Sequence, residues 1–335
     1  MMLDVSADIF AIVIPCDESI LGVEIGNGYS FEKVYLDVLP HKDRLTNNHE
    51  IPNIEYINSC LTDKNGKFFI CLKKHNIFQI SGPEITPNTC CQINDPTSRK
   101  QLEPYEDREI SYLYQMFSLL RIFQSGNIGY CDIFFDYNYK MFEIINNNVQ
   151  FVSHSYGKNI FDDRKYFLFT PTVIECNQFL SNYMGTPFNL LKPRINKFTR
   201  GLEQYDAVTG PEKYITVLEM TLLEKDAQYK KKMLANRVAV LIGTTTSEII
   251  QIYTNMLKYY SYRSESLHEG IRTNISKEEL YNLEQYVRDV LKKCLYLCKN
   301  SAAIDPTVTW NEVKRKLIND LKHRVTVAKT TGILP

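Results

Sequence analysis

No run of apolar residues in this 335-residue chain reaches the length needed to cross a bilayer, and its N-terminus carries no signal-peptide pattern. These absences set aside membrane-spanning and secreted proteins, and the expectation is a cytoplasmic chain without a membrane partner. Nine cysteines, an odd number without the spacing of a disulfide framework, argue in the same direction. Metal-ligand spacing is missing as well. Cys294 and Cys298 share a helix face, but no further Cys or His stands at zinc-finger distance, so buried thiols are the expected reading. Cys90 and Cys91 have neither metal nor redox spacing. His41, His49, His75, His154 and His323 stand alone. Gly26-Asn27-Gly28 lacks the further glycine and the helix of a dinucleotide fingerprint and reads as a turn. No cofactor and no metal is expected. Internal repeats and low-complexity segments are absent too.

Net charge is also missing, but its zero hides an asymmetry. Residues 1–192 hold 16 Lys/Arg and 23 Asp/Glu; residues 193–335 hold 23 and 16. The basic half fits a polyanionic partner, although lysines such as Lys230, Lys231 and Lys232 equally fit solvated helix faces.

What is present reads as α+β, in two domains. The expected boundaries are 1–160 for a β-rich mixed domain and 165–330 for an all-α helical bundle. Strand patterns fall at residues 9–14, 20–25, 67–72 and 77–80, with a hairpin signal at Asn65-Gly66 and a loop around Pro83, Pro87 and Pro96. One helix is expected over residues 107–125, stopped by Gly126, before strands return at 128–135, 141–145 and 149–152. From residue 165 the periodicity is helical. Thr245 with Glu248 and Ser276 with Glu279 are capping boxes, and the tail after Val327 reads as frayed.

One stretch carries chemistry. Residues 259–270 close a helical run in which Ile249, Ile250, Tyr253, Met256, Leu257 and Tyr260 recur at helical spacing, and Gly270 is the expected stop. Arg263 offers a planar fork suited to phosphate oxygens. His268 exchanges a proton near neutral pH, and the helix C-terminus favours its charged form. Five residues separate them by roughly 140° around the helix and roughly 7.5 Å along it. They therefore do not share a face, whereas Tyr260, Ser264 and His268 do. The plain alternative is a surface ion pair for Arg263 and a helix-end role for His268. Glu219 and Glu224 read as a solvated or ion-paired face, with lining the cleft and orienting His268 as the other possibility. Tyr259, Tyr260 and Tyr262 read as groups that pack the helix and a dimer interface, with base stacking as the other possibility.

The run Arg263-Ser-Glu-Ser-Leu-His268, together with residues 214–224 and 234–243 as preceding helices, resembles the HEPN ribonucleases, nearest to the Apea-type HEPN proteins of bacterial anti-phage defence. The resemblance spans about residues 190–330. Ser264 stands where many members carry Asn, Asp or His. The resemblance implies an all-α HEPN bundle and metal-independent endoribonuclease activity of the defence, toxin or abortive-infection type. In such enzymes the ribose 2′-hydroxyl attacks its own phosphate. It further implies catalytic roles for Arg263, His268 and Ser264 in a composite site between two subunits. The expected partners are RNA, a second copy of the chain and a phage-derived or nucleotide trigger on the N-terminal domain. A HEPN-fold protein that binds RNA or dimerises without cleaving is the alternative.

Overall fold

The computed structural model describes residues 2–14, 16–40, 68–81, 96–126, 128–141, 144–145, 150–155, 166–203, 209–269 and 275–335. They form an antiparallel sheet followed by a helical C-terminal region, an α+β chain as the change of periodicity predicts. Two compact units result, Met1–Phe117 with Gly126–Gln178, and Ser118–Ser125 with Phe179–Pro335.

In the first unit β1 (Met2–Ile14) is central. It pairs antiparallel with β3 (Phe68–Ser81) on one side and β4 (Gly129–Met141) on the other. Beyond them, β2 (Ser30–Tyr35) pairs with β3, and β5 (Ile144–Ile145) and β6 (Gln150–Ser155) both pair with β4. Every side chain of residues 9–14 is buried, so this part of β1 cannot alternate and appears in the sequence as an unbroken apolar run. Helix α1 (Pro96–Phe123) covers one face of the sheet. Tyr105 stacks on Phe78 and meets Phe135 edge-on, while Phe117 meets Phe31 and Tyr130. Beneath this helix a single carboxylate oxygen, Glu109 Oε2, accepts from Lys74 Nζ and Tyr29 Oη at 2.8 Å each and from Asn27 Nδ2 at 3.2 Å. Burial pushes the Tyr29 phenol well above its ordinary range.

Three expectations need correction in this unit. Helix α1 begins at Pro96, not near residue 107, so Pro96 opens a helix and does not lie in a loop. Proline is tolerated in a first turn. Pro104 inside the helix forfeits a backbone bond, yet Leu102 and Tyr105 on either side of it are buried, and that packing carries the helix through. Residues 18–22 form a 3-10 turn and not a strand, because the Asp17 carboxylate accepts the Ser19 N–H at 2.9 Å and starts it. The turn after it is as expected: Tyr29 N–H donates to the Gly26 carbonyl at 3.0 Å, with Asn27 and Gly28 at φ 51° and 77° between them. The Asn65-Gly66 hairpin, Pro83, Pro87, Cys90, Cys91, His41 and His49 lie outside the described residues.

After α2 (Thr170–Tyr183), the second unit is built from α3 (Thr186–Glu203), α4 (Thr209–Leu222), α5 (Lys230–Ile242), α6 (Thr246–Glu269), α7 (Lys277–Ile304) and α8 (Trp310–Thr330). Helix α7 is its axis, packed against α3, α4, α5 and α8. It buries Leu280, Leu283, Val287, Val290, Leu291, Cys294, Leu295 and Cys298 along one stripe, and the Ser276–Glu279 capping box starts it. The same stripe buries Arg288, which is paired with Glu284, donates from Nε to the Arg121 carbonyl at 2.8 Å and lies over the Phe198 ring. A charge taken this far from water is tolerable only with such partners.

Helices α5 and α6 form an antiparallel pair joined by residues 243–245. The joint leaves no room for a side chain: a Cβ on Gly243 would sit 2.7 Å from both the Ala239 carbonyl oxygen and Ile249 Cγ1. At the chain end, the expected fraying does not occur. The backbone N–H groups of Ile333 and Leu334 donate to the Ala328 carbonyl at 2.8 and 3.0 Å, and Leu334 is buried. A buried apolar side chain just past a helix end holds the tail down. Among the described residues no helix is long and apolar enough to cross a membrane.

Candidate functional site

Helix α6 starts on its capping box. Thr245 Oγ1 accepts the Glu248 N–H at 3.2 Å, and Glu248 Oε2 takes the Thr244 N–H at 2.9 Å and the Thr245 N–H at 3.3 Å. Hydrogen bonds from Thr244 hold the Glu248 carboxyl below its usual range. From this start Ile252, Met256 and Tyr259 face the core. Tyr260 and Arg263 rotate to the margin of that face, and Ser264 comes out exposed.

At the margin the motif meets α4. Arg263 Nη1 lies 3.0 Å from Glu219 Oε1, and the same oxygen accepts the Tyr260 hydroxyl at 2.9 Å. The Arg263 guanidinium also stands 5.7 Å from the centre of the Tyr260 ring. Burial, reinforced by Glu219, pushes the Tyr260 phenol up to about 12. Nη1 is thus occupied, while Nε is buried and, among the described residues, has no hydrogen-bond partner. The backbone of α6 continues without a break to Glu269, so Arg263 and His268 keep their separation of roughly 140° on one helix. The side chain of His268, and Gly270 altogether, lie outside the described residues.

On the other flank of α6 there is a recess of about 520 Å³. Tyr229, Lys230, Lys231 and Lys232 at the start of α5 line it, with Tyr260, Ser261 and Ser264 of α6. Lys231 Nζ donates to Ser261 Oγ at 2.6 Å. Among the described residues no carboxylate lines the recess. Tyr229 stands at φ 51°, ψ 40°, the left-handed conformation that a bulky residue rarely adopts, and it is 84% exposed.

No family model, no curated protein and no solved structure matches this chain.

The geometry brings Arg263 to Glu219 and Tyr260, and Ser264 to three lysines. It leaves Glu224 elsewhere: this carboxylate accepts from Arg237 Nη1 at 2.7 Å and meets Lys322 Nζ at 2.9 Å. The Arg237 hydrogen bond, ahead of that from Lys322, lowers its pKa to about 2. The ion-paired reading of both acids therefore describes them. Tyr259 is a core residue against Tyr286, which settles its part of the tyrosine run as packing. Cys294 and Cys298 are buried thiols; burial raises both, Cys298 to about 12. His75 pairs with Asp8 at 2.7 Å on the surface of the first unit, and His323 is exposed. Among the described residues no group of three or more His, Cys, Asp and Glu is placed to hold a metal ion. The lysine recess is the feature that sequence reasoning did not assemble. Its one signal was the unbroken run Lys230-Lys231-Lys232 in the basic half.

Proposed function

We propose that the helical unit is a metal-independent endoribonuclease of the HEPN type, with Arg263 as its phosphate clamp. The observation that carries this is the Arg263 guanidinium, pinned through Nη1 to Glu219 with its Nε–H buried and, among the described residues, without an acceptor. A buried N–H without a partner costs free energy, which an acceptor on a bound ligand recovers. The Nε–Nη2 edge of a guanidinium is a two-donor fork that matches two phosphate oxygens. In the reaction the ribose 2′-oxygen attacks the adjacent phosphorus, the bond to the 5′-oxygen breaks, and the products end in a 2′,3′-cyclic phosphate and a 5′-hydroxyl. Arg263 stabilises the charge that develops on the phosphoryl oxygens. One His268 takes the 2′ proton, and a second, from a two-fold-related copy, returns a proton to the leaving oxygen. The splay of Arg263 and His268 on one helix favours this composite arrangement, with α6 at an isologous interface. Ser264 orients the phosphate.

The other reading is RNA binding without cleavage. Glu219 favours it, because a carboxylate 3.0 Å from Arg263 already answers the charge that a phosphate would meet. One experiment separates the two. The wild type, Arg263→Ala and His268→Ala are incubated with single-stranded RNA in EDTA and the product ends are analysed. The nuclease gives 2′,3′-cyclic phosphate ends, spares DNA, and loses cleavage in both variants while His268→Ala still binds RNA. Products ending in 3′-hydroxyl, a metal requirement, or full activity of His268→Ala overturn it. Binding without cleavage in any form establishes the second reading.

A further inference from the structure

The recess between α5 and α6 lies beside the clamp, not within it, and its chemistry differs. Arg263 is answered by Glu219, and other basic groups of the same unit are answered as well: Lys258 by Glu279, Lys322 by Glu224 and Arg237 by Glu224. Lys230, Lys231 and Lys232, which line the recess, differ from these four. Among the described residues none of the three has a carboxylate partner, and Lys231 is fixed instead by a neutral hydroxyl. Three consecutive ammonium groups without counter-charge repel one another, and a polyanion relieves that repulsion while releasing its own counterions. The volume of about 520 Å³ is that of a small-ligand site, enough for a nucleotide unit.

Tyr229 narrows the class of ligand. It lines the same recess, exposes 84% of its surface, and does so from a left-handed backbone. Bulky residues occupy that conformation seldom, and such strained positions cluster at ligand clamps and active sites. An exposed aromatic ring beside a row of cations is the combination that holds single-stranded nucleic acid, the ring taking a base and the cations the backbone. Tyr260 lines the recess and donates to Glu219 Oε1, the oxygen that holds Arg263, so the recess borders the clamp.

Resting on the RNA reading above, we propose that this recess is a single-strand RNA subsite in which Lys230, Lys231 and Lys232 hold backbone phosphates and Tyr229 stacks on a base.

The test is fluorescence anisotropy of a labelled 2′-O-methyl oligouridine, which cannot be cleaved, titrated with the full chain at several salt concentrations. The triple variant Lys230→Gln/Lys231→Gln/Lys232→Gln binds at least about tenfold more weakly at low salt, and its log–log salt slope falls by roughly 2, about 0.7 for each phosphate that is no longer neutralised. Tyr229→Ala binds about tenfold more weakly with the salt slope unchanged, and Tyr229→Phe restores binding. Lys277→Gln, on the exposed start of α7, is the charge control and binds as wild type. All the lysines concerned are exposed, and circular-dichroism melting confirms that each variant is folded. Wild-type binding that the triple variant retains overturns the subsite and leaves the RNA reading standing. Loss in the triple variant with no loss in Tyr229→Ala overturns the stacking role. A wild type that binds no oligonucleotide overturns the subsite and the RNA reading together.

Discussion

Glu219 reaches across from α4 to hold Arg263 of α6, its Oε1 3.0 Å from Nη1, although 44 residues separate them in the chain. Both side chains are largely withdrawn from water, with 17% and 21% of their surface exposed. Such a pair resists solvent screening better than a surface one and fixes the direction in which the guanidinium points. It also sets up a competition, because any phosphate brought to Arg263 approaches the Glu219 carboxylate as well.

Glu219→Gln tests that competition. It removes the negative charge and leaves an acceptor for Tyr260. We expect the folded state to lose about 1–2 kcal/mol, seen as a lower urea midpoint. RNA affinity should rise severalfold in the same variant. Unchanged stability would mean that the pair contributes nothing to the fold.

Tyr229→Gly separates stability from binding. Glycine occupies φ 51° without the Cβ conflict that an L-residue meets there, worth about 1 kcal/mol. The variant should melt about 2 °C higher than the wild type. It should also bind the oligouridine more weakly, since the stacking ring is gone. A lower melting temperature would show that the ring itself supports the fold.

Glu224 makes part of the stability pH-dependent. Its carboxyl is lowered from 4.5 to about 2 in the folded chain, chiefly by Arg237. A depressed carboxyl contributes stability that is fully present above the unfolded value and is lost as pH falls through the folded value. The window therefore runs from about pH 4.5 down to about pH 2. With 40% of the side chain exposed, screening leaves a contribution of about 1 kcal/mol. Urea midpoints of wild type and Glu224→Gln should differ at pH 6 and converge as pH approaches 2. A gap that stays constant would assign the effect to packing.

The buried pair Lys74 and Glu109 predicts a sharper loss in the first unit. Their side chains expose only 6% and 4% of their surface. Lys74→Met leaves a buried carboxylate with two neutral donors, at a cost of about 3–5 kcal/mol. Adding Glu109→Gln keeps acceptors for Tyr29 and Asn27 and should recover most of that loss. A double variant no more stable than the single would show that the lysine acts through its alkyl packing, measured in both cases by denaturant unfolding.

Local features were legible in the sequence because their causes are local. The capping boxes at Thr245 and Ser276 and the stripe of α7 follow from spacing within a few turns, and they stand where spacing puts them. The start of α1 was hidden because Pro104 looks like a boundary when its neighbours' burial is unknown. The docking of Leu334 was hidden because a short tail carries no period. At the site, periodicity tells which residues share a face of α6 but not which helix that face meets. It could name Arg263 and Glu219 separately, and it could not join them. The lysine recess failed for the same reason. A basic run on a helix start looks the same whether it faces open solvent or Ser261 and Ser264 of another helix.

Gly243 gives the recess a lever. Helix α5 has 13 residues and so extends about 20 Å from this joint to Lys230. A side chain at Gly243 has to push the Ala239 carbonyl or Ile249 away, which tilts one helix against the other. A tilt of about 5° at the pivot swings the far end of α5 by nearly 2 Å, on the order of a hydrogen-bond length. The span between the lysines and Ser264 is therefore set at the opposite end of the helical pair, by a residue that touches neither.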